Sequence, residues 1–143
     1  MKNKLIPYDE LGFRIFLLNP PFVSLPNGEK IPAPNMKVLQ KLVFNALAEK
    51  MSRFTGNEVR FIRKYLRMTQ VVFSELLNMS NHSVVSQWES KEDKVSGMDY
   101  NTEILLRLKM LSINVKFLPV SKMDEFKHLS GKSKPLQIEF QAA

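Results

Sequence analysis

Between residues 55 and 90, three short blocks with apolar residues three or four apart follow one another almost without joints, and this brevity most constrains the fold. They read T-G-N-E-V-R-F-I-R-K-Y-L-R-M, T-Q-V-V-F-S-E-L-L-N-M-S and N-H-S-V-V-S-Q-W-E-S. Only about three residues separate the end of the second block at Leu76-Leu77-Asn78 from the next start, too few for an ordinary antiparallel helix pair. Thr55 is the candidate cap of a helix from Asn57 to Met68, and Thr69 that of the second helix. Asn81 or Ser80 caps the third, each residue offering a side-chain oxygen to an orphan helical N–H. Asn81 is preferred, because it places Val85 and Trp88 four and seven positions on, along one face. Asn78 stands where the turn calls for a left-handed φ, a place often taken by glycine. Val59, Ile62 and Leu66, with Phe61 and Tyr65 alongside, are the expected core of the first helix. Phe73, Leu76 and Leu77 are that of the second, with Ser74 small enough for close approach of the third.

Projected at about 100° per residue, the last block puts Val84, Val85 and Trp88 on one arc. His82, Ser83, Ser86, Gln87 and Ser90 fall on the other, which carries no carboxylate. Any amphipathic surface helix divides in this way. A helix entering a DNA major groove has a stricter need: short side chains for close approach, donors and acceptors, and no repulsion from phosphate. His82, Ser83, Ser86 and Gln87 are therefore the candidate base-reading residues. Gln87 leads, since its amide pairs bidentately with adenine. His82 reads equally as a plain exposed histidine, and Ser83 and Ser86 equally as spacers.

Charge supports this reading by its placement. The 143-residue chain carries a formal net charge of +7, a balance that favours a polyanionic partner through counterion release. Arg53, Arg60, Arg63, Lys64 and Arg67 crowd one stretch against Glu58 alone. Arg60, Lys64 and Arg67 follow i, i+4, i+7 spacing on one helix face. That face is either a solvated surface or, beside a reading helix, a set of phosphate contacts made by Arg60, Arg63, Lys64 and Arg67. With no cysteine and only His82 and His128, disulfides, thiol nucleophiles and zinc ribbons are excluded, and no metal or cofactor is expected. No Cys–His pair or glycine-rich phosphate loop points to an enzyme. No aromatic platform suits single-stranded RNA. No apolar run is long enough for a membrane span; the start resembles no signal peptide, and a cytoplasmic location is expected.

The remainder divides into residues 1–35, a proline-rich β or irregular element; 36–111, the helical domain; and 112–143, a strand-like or flexible extension. Phe13 to Leu18 suits a strand, and Phe22 to Leu25 with Lys30-Ile31 suits another, turned at Pro26-Asn27-Gly28. Asn35 caps a helix from Met36 to about Lys50, with Val38, Leu39, Leu42, Val43, Ala46 and Leu47 as its buried stripe. Asp99 caps a last helix, Asn101 to about Leu111, with Ile104, Leu105, Leu108 and Leu111 apolar. Val115, Phe117 and Leu118, then Leu136, Ile138 and Phe140, alternate as strands do; a hairpin, a strand exchanged with another chain and a mobile tail all fit.

T-G-N-E-V-R-F-I-R-K-Y-L, T-Q-x-x-F-S-E-L-L and V-V-S-Q-W-E together resemble the Xre/Cro-type helix-turn-helix regulators. The closest likeness is to the C-terminal domain of MqsA-like antitoxins, over roughly residues 12 to 111. The resemblance implies a mainly α, five-helix, lambda-repressor-like DNA-binding domain. It implies a homodimer that binds palindromic double-stranded operators and represses transcription, with a possible cognate toxin as protein partner. By the same likeness Gln70 would contact phosphate, His82, Ser83, Ser86 and Gln87 would face base edges, Trp88 would be core, and Glu89 would help fix the end of the reading helix; Asn81 is a further candidate phosphate contact. The family's zinc-binding N-terminal domain has no cysteine here from which to be built. The stretch from Leu77 to Trp88 is one residue longer than the family's usual pattern.

Overall fold

The computed structural model describes residues 4–113, 126 and 129–140. Five helices make up most of this mainly helical domain, with small β elements near both ends of the chain. In the first stretch lie β1 (Leu5–Tyr8), β2 (Ile15–Leu18), β3 (Phe22–Ser24) and β4 (Lys30–Pro32). The helices are α1 (Met36–Glu49), α2 (Gly56–Tyr65), α3 (Gln70–Leu76), α4 (Ser83–Glu89) and α5 (Tyr100–Ser112), followed by β5 (Gln137–Glu139).

The strand expected at Phe13 to Leu18 forms β2, the centre of a three-stranded sheet ordered β1-β2-β5. Ile15 and Leu17 point into the core while Phe16 and Leu18 are half-buried, the alternation that period-two geometry requires. β1 pairs with β2 antiparallel; it contains Pro7, which an edge strand tolerates because one side of its backbone goes unpaired. β5 lies parallel to β2, with Leu17 opposite Ile138. The Leu136–Phe140 alternation therefore completes a sheet begun near the other end of the chain. Val115, Phe117 and Leu118 lie outside the described residues. β3 and β4 form the expected hairpin, turned through Gly28 at φ +92°. Both its faces are open, and Phe22 keeps 46% of its surface exposed.

Asn35 caps α1 as expected, its Oδ1 accepting the Val38 N–H at 3.1 Å. The buried stripe is shifted from the expected one: Leu39, Val43 and Leu47 are buried with Phe44 and Ala48, whereas Val38 is exposed and Leu42 and Ala46 are half-buried. Tyr65 of α2 stacks on Phe44 at 4.3 Å while Val38 stays exposed, so neighbours outside the helix set the arc. Residues from β2, all of α1 to α5 and β5 then join one hydrophobic core.

α5 departs furthest from expectation. Asp99 caps it, accepting the Thr102 N–H at 3.2 Å. Yet Ile104, Leu105, Leu108 and Leu111 are only half-buried, and the dry face carries Glu103, Leu106, Arg107 and Met110. The reason lies across the interface, where α1 ends and its last carbonyls lack helical partners. Arg107 supplies them, donating to the carbonyls of Lys50, of Ser52 at 2.7 Å and of Leu47 at 3.4 Å, while its Nη2 reaches Glu103 Oε2 at 2.8 Å. Its guanidinium lies over the Phe54 ring at 4.2 Å. The other oxygen of Glu103 accepts from Arg53 Nε at 2.8 Å, and Arg53 also donates to the Met98 carbonyl. Nearby, Lys50 Nζ donates to both Glu58 oxygens at 2.6 and 2.7 Å and to Ser133 Oγ at 2.7 Å. Burial pushes the Glu58 carboxyl up and the Lys50 ammonium down, and the charge of each partner opposes both shifts. No buried side-chain nitrogen or oxygen among the described residues lacks a partner, which makes so polar a core tolerable.

Candidate functional site

Reciprocal hydrogen bonds open α2. Thr55 Oγ1 accepts the Glu58 N–H at 3.1 Å and Glu58 Oε1 accepts the Thr55 N–H at 2.9 Å, a capping box. Gly56 follows because nothing larger fits. A Cβ there would stand 2.4 Å from the Trp88 carbonyl oxygen and 2.8 Å from the Glu92 nitrogen, both backbone atoms. The start of α2 thus rests directly on the end of α4. The helix stops before the expected Met68: Arg67 adopts φ +59°, the Met68 N–H returns to the Arg63 carbonyl and the Arg67 N–H to that of Lys64. This is a Schellman closure. Arg67 therefore lies beyond the helix, and the expected i, i+4, i+7 row is helical only at Arg60 and Lys64.

α3 repeats the pattern on a smaller scale. Thr69 Oγ1 accepts the Val72 N–H at 3.2 Å. At its end Asn78 takes the expected left-handed φ, +59°, and the Met79 N–H returns to the Ser74 carbonyl at 2.9 Å. Ser74 is buried, as its neighbour's close approach demands. Residues 77–82 separate the two helices, a longer joint than expected because the closure consumes a further turn. The residue at the cap of α4 is His82, already in helical geometry and without a side-chain capping bond, while Asn81 one residue earlier accepts the Ser83 N–H on its Oδ1 at 2.9 Å.

The Asn81 register places Val85 and Trp88 inward, and both are buried. His82, Ser83, Ser86, Gln87 and Ser90 are all exposed on the opposite side. Of these only Ser90 turns its side chain back, donating to the Gln87 carbonyl at 2.7 Å. α4 therefore presents an open row of hydroxyl, amide and imidazole groups above an anchored apolar side.

Glu89 does the anchoring. Buried at the end of α4, it accepts from Arg63 Nε at 2.6 Å and Nη2 at 3.1 Å, from Arg60 Nε at 3.4 Å, and from Gln70 Nε2 at 3.2 Å. One carboxylate ties α2, α3 and α4 together. Desolvation raises its carboxyl, but the hydrogen bonds and charge of Arg63, with Gln70 and Arg60, bring it below the usual carboxylate range.

This clamp divides the residues expected at phosphate. Arg63 points inside: with a side chain 13% exposed, it gives Nε and Nη2 to Glu89 and Nη1 to the Met68 carbonyl. Its charge is needed by Glu89, which accounts for its inward turn. Gln70 is half-buried with its amide on Glu89, and Arg60 spans from Glu89 to the surface. Lys64 and Arg67 stay exposed and, with Arg60, line a cleft of about 930 Å³ between α2, the first turn of α1 and the β1–β2 turn. Asn81 remains exposed beside the base-reading candidates.

Several residues that organise this arrangement were not singled out from the sequence: Lys50, Glu58, Glu103, Arg107 and Gly56. The Thr55-x-x-Glu58 spacing is a recognisable capping-box signal. Glu103 and Arg107, four apart amid leucines, are equally a solvent-face pair until the partner carbonyls are seen.

Comparison with protein families, curated proteins and solved structures finds no match to this chain. No helix among the described residues is long and apolar enough to cross a membrane. No group of three or more His, Cys, Asp or Glu side chains among them could hold a metal ion.

Proposed function

We propose that this protein is a sequence-specific double-stranded DNA-binding regulator, acting as a dimeric repressor of the Xre/antitoxin type. In this reading α3 and α4 form the helix-turn-helix of a lambda-repressor-like domain, and α4 enters the major groove. The observation that carries it is the division of α4: Val85, Trp88 and Glu89 are buried, while His82, Ser83, Ser86 and Gln87 are exposed together and free of carboxylates. Gln87 pairs with an adenine edge, His82, Ser83 and Ser86 meet neighbouring bases or let the helix approach them, and Gln70, Asn81 and the outer part of Arg60 meet phosphate. Glu89 acts indirectly by holding the pitch of α4 on α2 and α3. Two such helices in a dimer would read half-sites one helical turn apart.

The test is a fluorescence-anisotropy titration at two salt concentrations. It uses a duplex enriched from a random pool by the protein itself and a shuffled duplex of equal composition. A preference for the enriched duplex that survives added salt supports the reading; equal binding that vanishes with salt leaves only a basic surface.

A second reading, an antitoxin or adaptor that neutralises a partner protein through its terminal segments, is favoured by one observation. The β3–β4 hairpin exposes Phe22, Val23 and Ile31 and has no third strand among the described residues, the condition in which a partner's strand can add. Loss of a toxin complex on Val23→Lys, with duplex binding intact, would establish it; the two readings are compatible.

A further inference from the structure

The cleft between α2 and the start of α1 is lined by four cationic side chains, Lys37, Arg60, Lys64 and Arg67. Lys37, Lys64 and Arg67 form no ion pair among the described residues, whereas Arg60 has its guanidinium held by Glu89 and Asn57. Glu10 is the one carboxylate on the wall. Lys37 sits in the first turn of α1, which contains no acidic residue, although helix N–H groups already make that end positive. Cations crowded into a concavity focus a positive potential and repel one another. An anionic occupant would relieve that repulsion.

Shape and lining select the kind of anion. A duplex presents its phosphates on a convex surface and does not enter a concavity of about 930 Å³. Single-stranded nucleic acid binds by stacking bases on open ring faces, but here the rings are engaged: Phe61 is buried, and Tyr65 stacks on Phe44 at 4.3 Å. The lining is mixed, with Leu11, Met36 and the rings apolar and Lys37, Arg60, Lys64 and Arg67 cationic. Such a lining matches an extended peptide whose carboxylates meet the cations and whose apolar side chains meet Leu11 and Met36.

We infer that this cleft docks an acidic segment of a partner protein, with acidic and apolar side chains interleaved. The inference stands whether or not α4 reads DNA. Its test uses the full chain and three labelled short-peptide pools: Asp/Glu alternating with Leu/Phe, the same pool with Lys/Arg for the acids, and the acidic pool with Ser for the apolar residues. Anisotropy should rise with the first pool and far less with the other two. Lys37→Glu with Lys64→Glu should weaken binding by about tenfold or more, with an unchanged circular-dichroism spectrum, whereas Gln87→Ala should leave it unaltered. Should the double reversal not fold, Lys37→Gln with Lys64→Gln must still weaken binding by about threefold or more. A photoreactive acidic peptide should label residues 10–12, 36–40 and 57–67 of the wild-type protein. Failure of the acidic pool to bind, equal binding of the sign-reversed pool, indifference to both double variants, or labelling elsewhere would overturn the inference. Displacement by inorganic phosphate would recast the cleft as a small-anion site, and displacement by duplex DNA as part of a nucleic-acid surface; either result also overturns it.

Discussion

Glu103 and Glu89 are both buried carboxylates held by arginines, yet their surroundings differ in a way that separates architecture from presentation. Glu103 and Arg107 have 0% exposure, and Arg107 reaches backbone carbonyls at the end of α1 and beyond. Of its charged groups only Arg53 reaches toward the surface, its side chain 18% exposed. Glu89 is equally dry, and Arg63 turns inward to it, but the side chain of Arg60 is 41% exposed and Gln70 is half-buried. The first cluster closes the junction between α1, α2 and α5. The second ties α4 to α2 and α3 through one carboxylate, and one of its partners, Arg60, reaches the surface. An ion pair can therefore serve a fold by filling orphan acceptors, or serve a site by fixing a helix whose other face must stay bare.

The largest effect is expected at the dry cluster. Arg107→Met should cost about 3–5 kcal/mol, as it removes the donor to one Glu103 oxygen and leaves the Lys50 and Ser52 carbonyls without their side-chain donor. Urea denaturation measures it, and a loss near zero would remove the distinction between the clusters. Gly56→Ala comes next, at about 1–3 kcal/mol from forced backbone displacement, because its Cβ would meet Trp88 and Glu92 backbone atoms that cannot swing aside. That variant sharpens the comparison: it should also weaken duplex binding, since α4 must shift.

Glu89→Gln should cost about 1–3 kcal/mol and reduce affinity for the enriched duplex while the far-ultraviolet spectrum stays native. Its pH dependence has a definite sign. The folded carboxyl lies below the ordinary glutamate value, so the stabilisation is full above the unfolded value of about 4.3. It is lost as pH falls below that and through the lower folded value. Wild type and Glu89→Gln should converge in stability on acidification; a gap that widens would contradict the clamp. The smallest effect on the fold belongs to Gln87→Ala, within about 0.5 kcal/mol of wild type in denaturation. It should nonetheless relax discrimination at one base position by about 1–3 kcal/mol. Equal losses on enriched and shuffled duplex would deny Gln87 a reading role.

Legibility followed the range of the interaction. Asn35, Thr55, Thr69 and Asp99 each cap the helix that their position announced, and Asn78 adopts its left-handed φ. Asn81 accepts the Ser83 N–H at the start of α4, in the register that turns Trp88 inward. Within α2, Val59 and Ile62 are buried as their spacing required. The helix ended early at Arg67 because a Schellman closure needs no glycine when a surface residue accepts the strain, and nothing in the local composition marks that choice.

What the chain determined alone, then, is where helices begin, which side of α4 is apolar, and where its open hydroxyl and amide groups stand. All of these depend on contacts within about four residues, where backbone geometry permits few alternatives. Tertiary structure alone decided that Arg107 and Glu103 face inward, that Arg63 serves Glu89, that β5 lies beside β2, and that Lys37 meets Lys64 across a cleft. Each of those outcomes turns on a partner distant in sequence. A charged side chain chooses between water and the interior only when that partner's donors or acceptors arrive to replace its hydration.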